Sequence, residues 1–121
     1  MEHITTDKLP GRGGPYSHAV RVGDILFLSG QRPVNPVDGS ISDDFREQAR
    51  QVFTNIGTVL QECESDLSKV AKVNVYLADI KEFAALNEIY LEFFKEPFPA
   101  RTTISCVLRG ILIEVDVVAG A

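Results

Sequence analysis

The chain has 121 residues, of which 45% are hydrophobic and 24% are charged; this balance is typical of a single folded domain over residues 1–121 and excludes a disordered chain. Twelve basic residues against seventeen acidic ones give a net charge of -5, which disfavours nucleic acid as the main partner. No apolar stretch is long enough to cross a membrane, and the first residues lack the basic and apolar regions of a secretory signal, so we expect a cytoplasmic protein.

The first half of the sequence predicts a loop, a β-hairpin and a helix. Proline and glycine fill the loop at 10–15, where the glycines around Arg12 are expected to form a mobile lid. The hairpin strands lie at 18–22 and 25–28, and Gly23-Asp24 suits a two-residue type II′ turn. The second strand contains only apolar residues, so we expect it to be buried on both faces. A helix begins at Ser42, with Asn55 on an outer face. Its core-facing residues recur at steps of three and four: Phe45, Ala49, Val52, Phe53, Ile56, Val59, Leu60 and Cys63.

The second half predicts a strand, a helix and a terminal hairpin. Apolar and polar residues alternate over 72–77, which indicates a strand with one apolar face. Asp79 and Glu82 form a capping box for a helix that ends before Pro97. Two last strands, 101–108 and 111–119, flank Arg109-Gly110. With the residues around Ile4 as a candidate edge strand, this order predicts an α+β fold: two helices packed on one face of a mixed, mainly antiparallel sheet.

Asn87 is a polar residue on the apolar stripe of the second helix, which also holds Phe83 and Tyr90. A buried amide costs about 1–3 kcal/mol unless it finds hydrogen-bond partners. Two interpretations remain open at this point: Asn87 braces a nearby loop, or it contacts a ligand.

The terminal hairpin places polar residues together. If Arg109-Gly110 is a two-residue turn, Ser105 opposes Glu114 and Thr103 opposes Asp116, and opposed residues share a face of the sheet. Arg101 would then join them on one polar side. This side is either a solvated surface with an Arg101–Asp116 ion pair or the wall of a site for a polar ligand.

Tyr16 and Ser29-Gly30-Gln31 lie at neighbouring ends of the first hairpin, where hydroxyls and backbone amides can face one cavity. Ser29 is not in a Gly-x-Ser-x-Gly motif, and the early glycines lack the Gly-Lys-Ser/Thr ending of a phosphate-binding loop. No residues have the spacing of metal ligands.

Several short runs of residues together carry a family resemblance. They are Gly14-Pro15-Tyr16-Ser17, Leu28-Ser29-Gly30-Gln31, Pro33-Val34-Asn35-Pro36, Gln48-Ala49-Arg50-Gln51, Asn87-Glu88-Ile89-Tyr90, Phe98-Pro99-Ala100-Arg101-Thr102-Thr103 and Ile113-Glu114-Val115. Their order and spacing resemble the RidA/YjgF reactive-intermediate deaminases over nearly the whole chain. The resemblance implies a chorismate-mutase-like fold and a homotrimer with three ligand clefts between subunits.

The resemblance also implies an activity. Family members hydrolyse enamines and imines such as 2-aminoacrylate, 2-iminopropanoate and 2-iminobutanoate, released by pyridoxal-phosphate enzymes, to 2-keto acids and ammonia without a metal or cofactor. By this resemblance, Arg101 binds the substrate carboxylate and Glu114 polarises the attacking water. The implied pocket is completed by the substrate-binding residues Tyr16, Ser29, Gly30, Asn87 and Thr103.

Two positions depart from the family pattern, and two other functions stay open. Thr103 stands where many members have cysteine, and Arg32 stands where an aliphatic residue is usual. A non-catalytic trimer that binds small carboxylates or 2-keto acids would need only Arg101 and its neighbours. An endoribonuclease, an activity attributed to some relatives, is disfavoured by the acidic balance and by the lack of a paired histidine or metal site.

Overall fold

The computed structural model describes residues 1–9 and 13–121, and these form one mixed six-stranded sheet with two α-helices on one face. The sheet order is β1-β2-β3-β6-β4-β5, and only β4 and β5 pair in parallel. The predicted α+β class and element order are confirmed, including the edge strand at Ile4. The strands are Glu2–Ile4 (β1), Ala19–Val22 (β2), Ile25–Leu28 (β3), Val70–Leu77 (β4), Ala100–Ser105 (β5) and Ile113–Gly120 (β6), and the helices are Phe45–Glu62 (α1) and Phe83–Tyr90 (α2).

The core lies between the helices and one face of the sheet. Val73, Val75 and Leu77 of β4 are fully buried there, as are Phe53 and Ile56 of α1. Helix α1 begins at Phe45, not at Ser42, because Asp44 is the N-cap and its carboxylate accepts a hydrogen bond from the Glu47 amide at 3.0 Å.

No helix of the described residues covers the opposite face of the sheet, and we call it the open face. Leu26 and Leu28 of β3 point into the core, whereas Ile25 and Phe27 are 47% and 46% exposed. The prediction that β3 is buried on both faces is therefore wrong, since each strand presents alternate residues to the two faces. The predicted turn is confirmed: Gly23 joins β2 to β3 with φ of +58°.

The predicted terminal hairpin is wrong. Strands β5 and β6 do not pair, because β4 lies between them and bonds both. The connection 106–112 passes over the end of β4, where the Cys106 amide donates to the Leu77 carbonyl and the Ala78 amide donates to the Leu112 carbonyl. This arrangement satisfies the backbone groups on both edges of a strand in the interior of the sheet, which an adjacent β5–β6 pair would leave partly unpaired.

Helix α2 is shorter than predicted. A 3₁₀ turn at Ile80–Glu82 precedes it, capped by the Asp79 carboxylate, and the α-helix ends at Tyr90. Its buried residues include Leu86 and Ile89, while Phe83 is exposed, so part of the predicted apolar stripe faces outwards. None of the helices in the described part of the chain is long and apolar enough to span a membrane. Of the predicted loop at 10–15, residues 10–12 lie outside the described residues, and with them Gly11 and Arg12 of the predicted lid.

Candidate active site

The predicted polar side of the hairpin is divided between the two faces of the sheet. Arg101 and Thr103 pair in register with Val73 and Val75, so they lie on the helix-covered face. Glu114 pairs with Tyr76 on the open face, as its neighbour Asp116 does with Asn74. Sequence-predicted site residues therefore fall into two groups. The first, the Arg101 half-site, contains Asn87, Arg101 and Thr103, and the second, the Glu114 half-site, contains Tyr16, Ser29, Gly30 and Glu114.

In the Arg101 half-site, one side of α2 holds the guanidinium. Arg101 Nη2 donates a hydrogen bond to Asn87 Oδ1 at 2.8 Å, and Arg101 Cζ lies 4.7 Å from the centroid of the Tyr90 ring and 5.5 Å from that of Phe83. Residues 83, 87 and 90 follow the spacing that places side chains on one side of a helix. Asn87 thus contacts the strand residue that the resemblance assigns to the substrate carboxylate.

Arg101 has no carboxylate partner among the residues that the structure describes. The alternative of an Arg101–Asp116 ion pair is wrong, because Asp116 accepts hydrogen bonds from Asn74 Nδ2 at 2.8 Å and from the Tyr76 hydroxyl at 2.9 Å. The hydrogen bond from the Tyr76 hydroxyl to Asp116, together with burial, raises the pKa of Tyr76 to about 12. A half-buried guanidinium without a counter-charge can bind an anion through the N–H groups that Asn87 does not occupy.

Two hydroxyl oxygens in this region are buried without a hydrogen-bond partner in the described part of the chain, those of Tyr90 and Thr103. Burial also raises the pKa of Tyr90. An unsatisfied buried hydroxyl costs about 1–3 kcal/mol, so water or ligand is expected nearby. A cavity of about 280 Å³ adjoins the guanidinium. It is lined by Asn87, Tyr90, Leu91, Phe98, Pro99 and Arg101.

In the Glu114 half-site, a two-residue bridge fixes the carboxylate against a glycine. Gln31 and Val115 exchange both backbone hydrogen bonds, at 2.8 and 3.2 Å, which holds the segment after β3 beside β6. Gly30 consequently lies against Glu114: a Cβ atom at Gly30 would be 2.7 Å from Glu114 Oε2. A side chain at position 30 would displace the carboxylate, so this close approach requires glycine.

The hydroxyls of Ser29 and Tyr16 connect the two loops of this half-site. Ser29 Oγ donates to the Ser17 carbonyl at 2.6 Å, and the Tyr16 hydroxyl accepts from the Gly13 amide at 3.0 Å. Tyr16 and Gly30 line one cavity of about 330 Å³. The predicted proximity of Tyr16 to the Ser29-Gly30 segment is therefore confirmed.

The prediction that Asn55 takes an outer face is wrong. Asn55 is 1% exposed, and its Nδ2 donates to the carbonyls of Arg32 at 3.1 Å and Val34 at 2.9 Å. It lies three residues after Val52 and four before Val59, so the helical spacing itself contained the signal for a core-facing amide. This amide fixes the loop that follows Gly30. Within residues 1–9 and 13–121, no cluster of three or more His, Cys, Asp or Glu side chains could hold a metal ion.

The sequence and the fold of this chain are both similar to those of known proteins. The family model described as Endoribonuclease L-PSP matches residues 6–121. A RutC family protein of Pyrococcus abyssi is 42% identical over 98% of this chain and 95% of its own length. The human 2-iminobutanoate/2-iminopropanoate deaminase is 40% identical over 96% of this chain and 87% of its own length. The crystal structure of RidA from the Antarctic bacterium Psychrobacter sp. PAMC 21119 covers 100% of both chains, with a TM-score of 0.95 and 35% identity.

Proposed function

The chain belongs to the RidA/YjgF family, whose model bears the description Endoribonuclease L-PSP, and on that premise we propose that it is a cytoplasmic deaminase of reactive imines and enamines. Membership of the family brings with it the chorismate-mutase-like fold that the resemblance implied. The proposed substrates are 2-aminoacrylate, 2-iminopropanoate and 2-iminobutanoate, and the products are the 2-keto acids and ammonia. Support for the two imines comes from the relatives named 2-iminobutanoate/2-iminopropanoate deaminase, at 37% to 40% identity.

The observation that carries this proposal is the guanidinium of Arg101, which forms no ion pair within the described residues. Its planar fork matches the two oxygens of a carboxylate, and it keeps its charge when partly buried. The Tyr90 ring and the Asn87 amide restrict its movement, so little conformational entropy remains to be lost when a ligand binds. A small carboxylic acid is the ligand that this arrangement fits.

The reaction needs positioning and proton transfer. In the proposed mechanism, Arg101 holds the substrate carboxylate and Glu114 accepts a proton from a water molecule as its oxygen adds to the imine carbon. Glu114 then returns that proton to the nitrogen of the carbinolamine. The proton of the remaining hydroxyl then passes to the nitrogen by way of Glu114 as the carbon–nitrogen bond breaks, which releases ammonia and leaves the keto group. The imine carbon is already electrophilic, so alignment of water, base and substrate supplies most of the acceleration.

Arg101 and Glu114 lie on opposite faces of one sheet, so one chain does not bring them together. We therefore propose a homotrimer in which the Arg101 half-site of one subunit meets the Glu114 half-site of its neighbour. The sequence-based reason for association, incomplete cover of Val73, Val75 and Leu77, is wrong because the helices bury all three fully. The open face gives a better reason, since nearly half of each side chain of Val22, Ile25, Phe27 and Ile104 is exposed there.

The decisive experiment supplies 2-aminoacrylate continuously from a serine dehydratase and follows the disappearance of the imine with and without the protein. We expect faster decay with wild type and decay near the uncatalysed rate with Arg101→Ala. Equal decay rates with and without wild-type protein would contradict the proposal. Binding of pyruvate to that same inactive protein would then favour the non-catalytic carboxylate-binding alternative.

A further inference from the structure

A second arginine, Arg32, lines the cavity of about 330 Å³ beside Gly30. Its Nη2 donates to the Arg109 carbonyl at 3.0 Å. No carboxylate forms an ion pair with Arg32 among the residues that the structure describes. Most of the N–H groups of its guanidinium are thus available to a further acceptor.

The backbone around Arg32 is fixed in place. The buried Asn55 amide donates to the carbonyls of Arg32 and Val34, and Asn55 Oδ1 accepts from Gln51 Nε2 at 2.9 Å. On the other side, Gln31 is bonded to Val115 through both backbone groups. Arg32 therefore starts from a rigid position, one residue after the bridge that holds Gly30 against Glu114.

The local charge differs in sign from that of the whole chain. The chain carries a net charge of -5, yet Arg32 lies against the backbone of Arg109, and neither arginine forms an ion pair within the described residues. Arg32 is the cation among the described residues that line the cavity, and a cation there attracts an anionic group. A guanidinium fork favours a planar carboxylate in particular.

We propose that Arg32 binds the distal carboxylate of a dicarboxylic 2-imino acid, so that this site prefers imines derived from acidic amino acids. The inference rests on the proposed function, in which Arg101 binds the carboxylate next to the imine carbon and Glu114 accepts a proton from the attacking water. The rest of such a substrate extends past Gly30 into the cavity that Arg32 lines. Hydrolysis of 2-iminosuccinate then consumes one water and releases oxaloacetate and ammonia.

The kinetic test compares substrates of equal length with and without the distal carboxylate. Amino-acid oxidases generate 2-iminosuccinate and 2-iminoglutarate, with 2-iminobutanoate and 2-iminopentanoate as their monocarboxylic counterparts. Arg32→Met should lower kcat/KM about ten-fold or more for at least one dicarboxylic imine and change the monocarboxylic ones by less than about two-fold. Lys69→Met removes an equal charge beside Gly120, at the far end of β6, and should change neither. An equal loss on all four substrates would assign Arg32 a structural role and overturn the inference.

A binding test keeps this inference separate from the deaminase proposal. Titration calorimetry with the corresponding 2-keto acids should show that wild type binds 2-oxoglutarate or oxaloacetate more tightly than 2-oxopentanoate or 2-oxobutanoate, and that Arg32→Met abolishes the difference. This result in a protein that hydrolyses no imine would contradict the deaminase activity while supporting Arg32 as an anion-binding residue. If the protein hydrolyses monocarboxylic imines but shows no preference for dicarboxylic ligands that depends on Arg32, this inference is contradicted and the deaminase proposal is not.

Discussion

Three contacts restrain the Arg101 side chain. Asn87 Oδ1 fixes one terminal nitrogen at 2.8 Å, and the rings of Tyr90 and Phe83 restrict the plane of the guanidinium. Tyr90 is itself stacked on Phe94, with ring centroids 4.6 Å apart. This restraint holds the remaining nitrogens in the defined orientation that binding of a substrate carboxylate requires.

Replacement of Arg101 tests whether this side chain binds the substrate carboxylate. A charge-assisted, partly desolvated contact contributes about 1.5–3 kcal/mol, so Arg101→Ala should lower kcat/KM on 2-iminopropanoate roughly 10- to 150-fold. Arg101→Lys should be impaired nearly as much, because lysine keeps the charge but loses the fork and the stacking. Arg46→Lys, in an exposed ion pair with Glu88, is the matched control and should retain activity. Full activity of Arg101→Lys would show that only the charge matters.

Glu114 is the second residue whose role is separable from folding. It lies on the open face, half-buried, and its carboxylate is not among the ion pairs of the described residues. Glu114→Gln should therefore leave the melting temperature within about 2 °C of wild type, while removal of the proton acceptor should lower kcat about 10²-fold or more. Thermal unfolding and steady-state kinetics on the same preparation distinguish the two effects. A large fall in melting temperature with normal turnover per folded molecule would make Glu114 a structural residue.

At the level of elements, the bridge between the segment after β3 and β6 sets the position of this carboxylate. Gly30→Ala introduces a Cβ 2.7 Å from the present place of Glu114 Oε2. The carboxylate is the far end of a flexible side chain, so it can move at small cost in stability, but a shift of about 1 Å can cost up to about 10²-fold in rate. Gly57→Ala is the control, because a Cβ atom added there lies at an ordinary contact distance of 3.8 Å from the Leu67 side chain. Gly57 is in α1, where alanine is a better helix former than glycine. Kinetics that are normal in both variants would contradict the role of Gly30.

A hydrogen bond between β4 and β6, from the Tyr76 hydroxyl to the Asp116 carboxylate, makes stability depend on pH. The hydrogen bond to Asp116, together with burial, raises the pKa of Tyr76 to about 12 in the folded protein, against about 10 when unfolded. The folded state therefore holds this proton more tightly. The associated stability is complete below pH 10 and is lost as the pH rises from about 10 through 12. Urea unfolding at pH 9 and pH 11 should show a smaller loss of unfolding free energy for Tyr76→Phe than for wild type, and equal losses would contradict the assignment.

Local patterns predicted the elements, but strand pairing depends on distant residues. The spacing of Val52, Phe53 and Ile56 and the alternation along β4 depend on a few neighbouring residues, so these elements were predicted correctly. The Arg109-Gly110 pair suggested a hairpin, and nothing local revealed that β4 would separate β5 from β6. That error placed Arg101 and Glu114 on one face. The family resemblance named both residues as candidates independently of that error, because motif identity does not depend on register.

The whole molecule must associate if the two half-sites are to form one site. Light scattering at micromolar concentration should give three times the 13.3 kDa of the chain. The apolar side chains on the open face supply the surface that association would remove from water. A mass near that of one chain would remove the shared cleft and with it the proposed partnership of Arg101 and Glu114.

Mixed assemblies test whether the site is shared between chains. Arg101→Ala lacks the carboxylate anchor and Glu114→Gln lacks the proton acceptor, so each variant alone should be nearly inactive. If each cleft takes Arg101 from one subunit and Glu114 from the next, co-refolding equal amounts of both should give clefts that contain both native residues. Random mixing makes roughly a quarter of the clefts intact, so about that fraction of wild-type activity should return. Mixing the two folded proteins without refolding is the control, because stable trimers do not exchange subunits rapidly. If Arg101 and Glu114 instead acted within one chain, every chain in the mixture would lack one of them, and co-refolding would restore no activity.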